Sequence, residues 1–205
     1  MNPKKRLQYI WDYYKLPIIG IPLAILLILF VVKSLSADTE PDFSLYLINQ
    51  PATEEERAAL ASSILKTLCP DDGESSVYVD ASLTITPSSP DYESQMSFTT
   101  AIAGHTIDVM IADEEFLTYY AARDAFYDLS ELLPAELYEQ LTPYLLFADG
   151  ADGVSHAYGL DVSGCPLLME LDLNAPVLTA AKGTEHARIA LEYIRMLFQC
   201  YLKDI

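Results

Sequence analysis

Apolar residues form one long uninterrupted run near the start of the chain. Residues 16–32 have the sequence LPIIGIPLAILLILFVV without a charge, and Lys15 and Lys33 flank them. Seventeen helical residues span roughly 25 Å at about 1.5 Å per residue, near the lower limit for crossing a bilayer. The aromatic residues just before the run are Tyr9, Trp11, Tyr13 and Tyr14. Such rings favour the headgroup level, so the pattern predicts a transmembrane helix over residues 16–33.

A cleaved signal peptide is the alternative interpretation, because a basic start, an apolar stretch and small residues at 34–37 follow in order. The run is longer than the usual apolar region of a signal peptide, and Leu35 stands where a small residue is preferred. Basic residues before the run predict a cytoplasmic N-terminus. We therefore expect a basic and aromatic cytoplasmic segment at 1–15, a single-pass anchor in the cell membrane, a tether at 34–42 and an extracellular domain at 43–205.

After residue 42, short apolar segments alternate with helical patterns. The expected strands are Phe43–Ile48, Ser76–Thr86, Ile107–Ala112, Tyr158–Val162, Pro166–Leu171 and Pro176–Thr179. The expected helices are one opened by Thr53 in a capping box with Glu56, residues 92–103, a segment capped by Asp113, Pro134–Leu145 and Thr184–Leu202. Strict alternation in Ser76–Thr86 suits a strand at a sheet edge. This order predicts an α/β fold, with a single mostly parallel sheet and helices on both faces.

The last helix is expected to close the domain against the sheet. Its predicted inward face is formed by Ala187, Leu191, Ile194 and Phe198. We expect this face to pack on strands 43–48 and 107–112. Only about twenty residues separate Val162 from this helix, whereas a βαβ unit takes roughly thirty. The region Ala157–Leu173 should therefore return to the first sheet rather than begin a second one.

Composition narrows the class of protein. The residues after Lys33 include seven basic and twenty-nine acidic side chains, a net charge of −22. A domain this acidic is a poor nucleic-acid binder, because phosphate contacts need Lys and Arg. A hydrophobic content of 51% excludes a disordered chain, and three cysteines exclude a disulfide-dense scaffold. The sequence leaves two alternatives open for the cysteines: one disulfide among Cys69, Cys165 and Cys200, or three buried thiols.

Several short motifs that could carry chemistry are better explained as structure. His105, His156 and His186 have no spacing typical of metal ligands, so they are expected to be exposed polar residues. The segment 149–153 (DGADG) lacks the oxygen pattern of a calcium loop and predicts a tight turn. Ser163-Gly164-Cys165 is not the elbow of a nucleophile. We therefore expect no metal, no cofactor and no enzymatic activity.

A ligand site is expected where the parallel strands end, because open α/β sheets bind ligands beyond their carboxyl ends. The candidate ligand-binding residues are Asn49, Gln50, Asp113, Glu114, Tyr158, Asp161 and Ser163. Acidic side chains at a helix start repel anions, which favours a neutral polar or cationic ligand. Eleven tyrosines follow the anchor, and Tyr119, Tyr120, Tyr127 and Tyr158 either form a stacking surface or are half-buried structural residues.

Three segments have features that are known from one family. Residues 107–134 (IDVMIADEEFLTYYAARDAFYDLSELLP) have an Asp-Val strand, a helix and an aromatic-Asp-Leu segment in that order. Residues 152–162 (DGVSHAYGLDV) have a turn followed by a Tyr-Gly strand, and residues 184–202 form a closing helix pattern. In these features the chain resembles bacterial extracellular solute-binding proteins, the binding components of ABC importers. The resemblance implies one lobe of a periplasmic-binding-like fold. Typical members have two lobes and a cleaved or lipidated N-terminus, so this chain resembles a reduced, anchored relative.

Two functions are consistent with this sequence. The first is a membrane-anchored binding module for a small polar ligand or peptide. The second is an accessory or docking ectodomain of a membrane protein complex that has lost solute binding. A concave pocket lined by Asp113, Asp161 and tyrosines would favour the first function, and a filled strand end with an apolar patch elsewhere would favour the second.

Overall fold

The computed structural model describes residues 21, 25–28, 41–68, 75–87 and 91–202, the last range without the side chains of residues 200–202. Residues 21 and 25–28 are helical. The rest of the expected transmembrane helix at 16–33 lies outside the described residues, as do the segment 1–15 and most of the tether 34–42. Within the described part of the chain, no helix is both long enough and apolar enough to span a bilayer.

Residues Pro41–Ile205 form one compact unit built around a six-stranded sheet. The strands are β1 (Phe43–Leu47), β2 (Val77–Asp80), β3 (Val109–Ala112), β4 (Leu145–Asp149), β5 (Ser155–Asp161) and β6 (Val177–Ala180). Their order across the sheet is β2-β1-β3-β6-β5-β4. β2 lies at one edge, as its alternating sequence predicts. β5 and β6 belong to the same sheet as β1, which confirms that the chain returns to it after Val162.

The sheet is mixed, and the expectation of a mostly parallel sheet is wrong. β1 pairs in parallel with β2 and β3, whereas the pairs β3–β6, β6–β5 and β5–β4 are antiparallel. A short turn at residues 150–154 joins β4 to β5, and a parallel pair would need a crossover of a dozen or more residues. Strands β1, β2, β3 and β5 consequently point one way, and their amino ends share one edge of the sheet.

Helices cover both faces of this sheet. They are α1 (Glu54–Leu68), α2 (Tyr92–Ala103), α3 (Glu114–Ala121), α4 (Leu129–Leu132), α5 (Ala135–Leu141) and α6 (Ala187–Leu202), with a 3₁₀ turn at Thr142–Tyr144. The predicted capping box opens α1: the Glu56 carboxylate accepts a hydrogen bond from the Thr53 N–H at 2.7 Å. Asp113 caps α3 as predicted, accepting from the Phe116 N–H at 2.7 Å. Both caps satisfy N–H groups that would otherwise lack partners.

Two apolar cores result, one on each face. The first includes α1 and α6 side chains against β1 and β3, and its fully buried members from α6 are Ala190, Tyr193, Ile194, Leu197 and Phe198. The second packs Phe98 of α2 and Phe116 of α3 against Met110. The predicted packing of α6 on the sheet is therefore confirmed through Ile194 and Phe198, whereas Leu191 is only half-buried.

Three predicted elements differ from the structure. The helix expected over Pro134–Leu145 ends at Leu141, because Pro143 interrupts backbone bonding and Leu145 begins β4. Pro166–Leu171 forms successive turns, with bonds such as Leu168 N–H to the Cys165 carbonyl at 2.9 Å, rather than a strand. Ser76–Thr86 is a paired strand only over Val77–Asp80, although its burial continues to alternate up to Ile85.

Candidate functional site

The carboxyl edge of the parallel strands brings together two predicted site residues, Asn49 and Asp113. The Asn49 amide donates to an Asp113 carboxylate oxygen at 2.7 Å and to the Ile85 carbonyl at 2.8 Å. Its carbonyl oxygen accepts from the Ile85 N–H at 2.7 Å. Asn49 has a φ of 59°, a left-handed conformation that Asn tolerates better than most residues. These bonds join β1 to the segment after β2 and to the start of α3.

Gln50, the neighbouring predicted residue, is also used inside the protein. It is 3% exposed, and its side-chain amide makes two bonds with the backbone of Asn174, at 2.7 and 2.9 Å. Asn49, Gln50 and Asp113 line a cavity of about 330 Å³. A ligand there would have to replace hydrogen bonds that the polar groups already make.

The remaining predicted residues lie outside this cavity. Glu114 is exposed in the first turn of α3, outside the cavity at Asn49. Asp161 is exposed at the end of β5, where it accepts from the Ser163 N–H at 2.9 Å in a local turn. Tyr158 lies at the amino edge of the parallel strands. The structure therefore places the seven predicted residues at several positions and does not unite them in one site.

A larger cavity, of about 500 Å³, lies at that amino edge. Its charged lining residues are Asp124, Asp128, Glu131, Asp152, His156 and Lys182, and its aromatic lining residues are Phe126, Tyr127 and Tyr158. They come from the segment between α3 and α4 together with α4, from the β4–β5 turn and β5, and from Lys182 after β6. We call this space the amino-edge cavity.

His156 connects two walls of the amino-edge cavity. Its Nδ1 lies 2.8 Å from an Asp128 carboxylate oxygen and its Nε2 lies 3.0 Å from an Asp152 carboxylate oxygen. An ionised carboxylate only accepts hydrogen bonds, so both ring nitrogens must donate and the ring is an imidazolium in this geometry. Hydrogen bonds to Asp152 and Asp128 accordingly raise the pKa of His156 above its ordinary value of 6.5.

The two carboxylates are in turn held by backbone groups. Asp128 caps α4 by accepting from the Ser130 N–H at 2.8 Å, and Asp152 accepts from the Val154 N–H at 3.0 Å. The Val154 bond and then His156 lower the pKa of Asp152. Burial is the largest influence on Asp128 and opposes ionisation, but its bonds from Ser130 and His156 outweigh it, so its pKa is lowered. Both carboxylates are therefore fixed in position and charged.

Tyr158 enters the cavity because β5 contains an extra residue. Leu146 pairs with Gly159 and Phe147 pairs with Ala157, which leaves Tyr158 without a cross-strand partner in a β-bulge. Bulges redirect side chains in this way. Tyr158 is 6% exposed and lines the cavity, yet its hydroxyl has no hydrogen-bond partner among the described residues.

The surroundings of the Tyr158 hydroxyl keep it protonated. Burial, followed by the charges of Asp152, Asp128 and Asp124, raises its pKa above the ordinary value of 10.0. A Cβ at Gly150 would lie 2.7 Å from this hydroxyl, so a side chain at residue 150 would force the turn or the phenol to shift. The cavity thus contains an accessible phenol hydroxyl, on a largely buried ring, that can donate one hydrogen bond.

Lys182 supplies the second positive charge. Its ammonium lies 2.5 Å from an Asp124 carboxylate oxygen, and this bond raises the pKa of Lys182. Both side chains are about half exposed, at 48% and 55%. Water therefore weakens this pair, and a ligand can compete for Asp124.

Sequence reasoning named Tyr158 as a ligand-binding residue and Tyr127 as a stacking candidate, but it missed the other lining residues. His156 was expected to be merely polar, and His186 lies at a different place, 3.1 Å from the buried Asp108. No group of three or more side chains suited to a metal ion occurs in the part of the chain that the structure describes. The sequence offered one signal: residues 126–129 and 152–162 both belong to segments that resemble solute-binding proteins. In the structure, both contribute residues to the lining of the amino-edge cavity.

Comparisons with known proteins add little to this description. No family model and no curated protein matches the chain. A solved structure that matches is described as an oligosaccharide periplasmic-binding protein from Synechococcus sp. MITs9220, with a TM-score of 0.34 and 21% identity. The match covers 50% of this chain and 23% of that protein, so the chain spans about a quarter of its length. A likeness at this TM-score assigns neither a fold nor a function to this chain.

Proposed function

We propose that this protein is a non-enzymatic binding protein whose α/β domain holds a small polar molecule in the amino-edge cavity. The observation that carries the proposal is Tyr158, which is 6% exposed and lines the cavity, while its hydroxyl makes no hydrogen bond among the described residues. The hydroxyl is not among the fully buried atoms, so a ligand in the cavity can reach it. A ligand atom that accepts from or donates to Tyr158 supplies the partner that the described residues do not provide.

The walls of the cavity favour binding over catalysis. Both ring nitrogens of His156 donate to carboxylates, so the ring offers no lone pair to abstract a proton. Asp128 and Asp152 are fixed by backbone bonds, which suits a preformed site that orients a ligand. The ring centroids of Phe126 and Tyr158 lie 6.4 Å apart, and both rings provide apolar surface beside these charges.

The proposed location is the outer face of the cell membrane. The support is the sequence pattern alone: an apolar run at 16–32 after a basic start, followed by a strongly acidic domain. Labelling of intact cells with an impermeant thiol reagent tests it, using a cysteine introduced at exposed Ser163. Labelling of Ser163→Cys before lysis supports the location, and labelling only after lysis contradicts it.

Calorimetric titration of the full chain in detergent tests ligand binding. The probes are neutral sugars, amino acids and small amines, each compared with buffer alone. We expect at least one probe to bind, and Tyr158→Phe to weaken that binding about tenfold. Tyr92→Phe is the matched control, because Tyr92 is 78% exposed and lies outside the cavity. Equal affinity in the wild type and Tyr158→Phe would remove the basis of the proposal.

Docking to a membrane complex is a second candidate, favoured by the edge strand β4. β4 is the last strand of the sheet, and Phe147 on it is 58% exposed. An edge strand with an exposed aromatic residue can pair with a strand from another protein. Crosslinking in membranes from a photoreactive residue at position 147 would support this candidate if it captures one defined membrane protein, whereas crosslinking at position 163 serves as the control.

A further inference from the structure

The charges that line the amino-edge cavity do not balance. Four carboxylates face two cations, His156 and Lys182, which leaves two negative charges without a partner in the cavity. The negative charge of Glu131 is the least compensated of the four. Its carboxylate makes no hydrogen bond or ion pair among the described residues, although its charge acts on Lys182. Uncompensated negative charge in the cavity disfavours anions and attracts cations.

The hydrogen-bonding groups point to the same ligand chemistry. Carboxylate oxygens only accept, and the two imidazolium N–H groups of His156 are already used. The cavity is therefore rich in acceptors and poor in available donors. A primary ammonium carries three donors and no acceptor, which matches such a wall better than a hydroxyl does. The rings of Tyr127 and Tyr158 offer additional cation–π contacts to an ammonium group.

We infer that the ligand is an organic dication of the α,ω-diamine class. One ammonium binds between Glu131 and Asp124 in competition with Lys182, and the other binds near Asp128, Asp152 and the Tyr158 hydroxyl, with the carbon chain against the aromatic wall. This inference rests on the proposed function, since it names the ligand of the same cavity. Neutral sugars, amino acids and phosphorylated compounds are expected to bind weakly or not at all.

The test is calorimetric titration of the full chain in detergent at neutral pH. The probes are 1,4-diaminobutane, butylamine, 1,4-butanediol and maltose, which separate two charges, one charge, hydroxyl groups and an oligosaccharide. We expect the diamine to bind at least tenfold more tightly than butylamine, and the diol and maltose to give no measurable heat. Raising the salt concentration should weaken diamine binding, because the attraction is electrostatic.

Two variants with the same change in charge sharpen the test. Glu131→Gln should weaken diamine binding about tenfold and leave butylamine binding nearly unchanged. Glu139→Gln, an exposed position on α5 outside the cavity, should leave both unchanged. Equal affinities for diamine and butylamine, or no effect of Glu131→Gln, would overturn the inference. Binding of maltose without the diamine would overturn it while supporting the proposed function. No heat from any of the four probes with the wild type would overturn the inference, and the wider probe set of the proposed function would then decide that proposal separately.

Discussion

The buried carboxylate of Asp108 lies 3.1 Å from Nδ1 of His186, 78 residues further along the chain. The same carboxylate accepts hydrogen bonds from the Ser44 N–H at 2.7 Å and from the Thr184 hydroxyl. Asp108 is 2% exposed. One side chain therefore ties the starts of β1 and β3 to the segment that leads into α6.

Asp108→Ala should destabilise the domain strongly. The change leaves the Ser44 N–H and the Thr184 hydroxyl buried without their acceptor, at a cost of about 3 kcal/mol in the free energy of unfolding. Chemical denaturation of the full chain, followed by far-UV circular dichroism, measures this free energy of unfolding. Asp172→Ala, at an exposed position, should change stability by less than about 0.5 kcal/mol. Similar free energies of unfolding for both variants would show that the hydrogen bonds of Asp108 do not stabilise the domain.

Ile194→Asp should disrupt the contact between α6 and the sheet. Ile194 is fully buried in the first core, and the variant both removes apolar volume and buries a charge. We expect a loss of about 4 kcal/mol or more, enough to unfold a marginally stable domain. Gln199→Asp adds the same charge to the exposed side of this helix and should leave the melting temperature nearly unchanged. An unchanged melting temperature in Ile194→Asp would mean that α6 is peripheral.

The stabilising contribution of His156 should depend on pH. Its pKa is raised in the folded protein, so its contribution is fully present below about 6.5, the pKa of an unfolded histidine, and is lost as pH rises through the raised value. Melting temperatures of wild type and His156→Asn should therefore converge between neutral and alkaline pH. Ionised Asp128 and Asp152 face the ring throughout this range. A constant difference between the two proteins from pH 5 to 9 would contradict the imidazolium assignment.

Asn49→Ala should reduce stability without changing ligand binding. The variant removes the bonds to Ile85 and Asp113 and places alanine at a φ of 59°, which together cost about 2 kcal/mol. Asn174→Ala is the control, because Asn174 bonds Gln50 only through its backbone. Diamine titration of both variants tests the location of the site. Loss of binding in Asn49→Ala, at a temperature where this variant remains folded, would indicate that the ligand binds at the carboxyl edge instead.

Residues 39–205 are expected to fold alone and to remain monomeric. The motivation is a complete alternation of strands and helices together with strong negative charge, which opposes self-association. Size-exclusion chromatography with light scattering measures the mass directly. A stable dimer, or aggregation of this fragment in the absence of residues 1–38, would contradict the prediction.

Local sequence patterns correctly predicted the elements that are determined by residues close together in the chain. Thr53 and Glu56 are three residues apart and form the expected cap, and the apolar spacing of Ile194 and Phe198 indicated the buried face of α6. β4 was missed because its two leucines continue a helical pattern, and only pairing with β5 makes them a strand. Pairing is a long-range property, which is also why the strand directions were predicted incorrectly.

The candidate site was largely beyond sequence reasoning for the same reason. Asp128 and His156 are 28 residues apart, and Asp124 and Lys182 are 58 apart, so no spacing rule links them. Tyr158 was identified as a tyrosine in a strand, but alternation alone assigns it to a face without regard to the bulge. Only the register of β5 against β4 shows which cavity the side chain enters.

Because of the bulge at Tyr158, the lining of the cavity depends on the exact number of residues in β5. Losing one residue from β5 would restore an unbroken ladder with β4. Because side chains alternate between faces, residues on one side of the deletion would exchange sides, and the phenol would leave the cavity. Under the proposed function, such a deletion would abolish ligand recognition while preserving a regular sheet. The number of residues between Asp152 and Asp161 is thus expected to mark relatives that share the proposed binding.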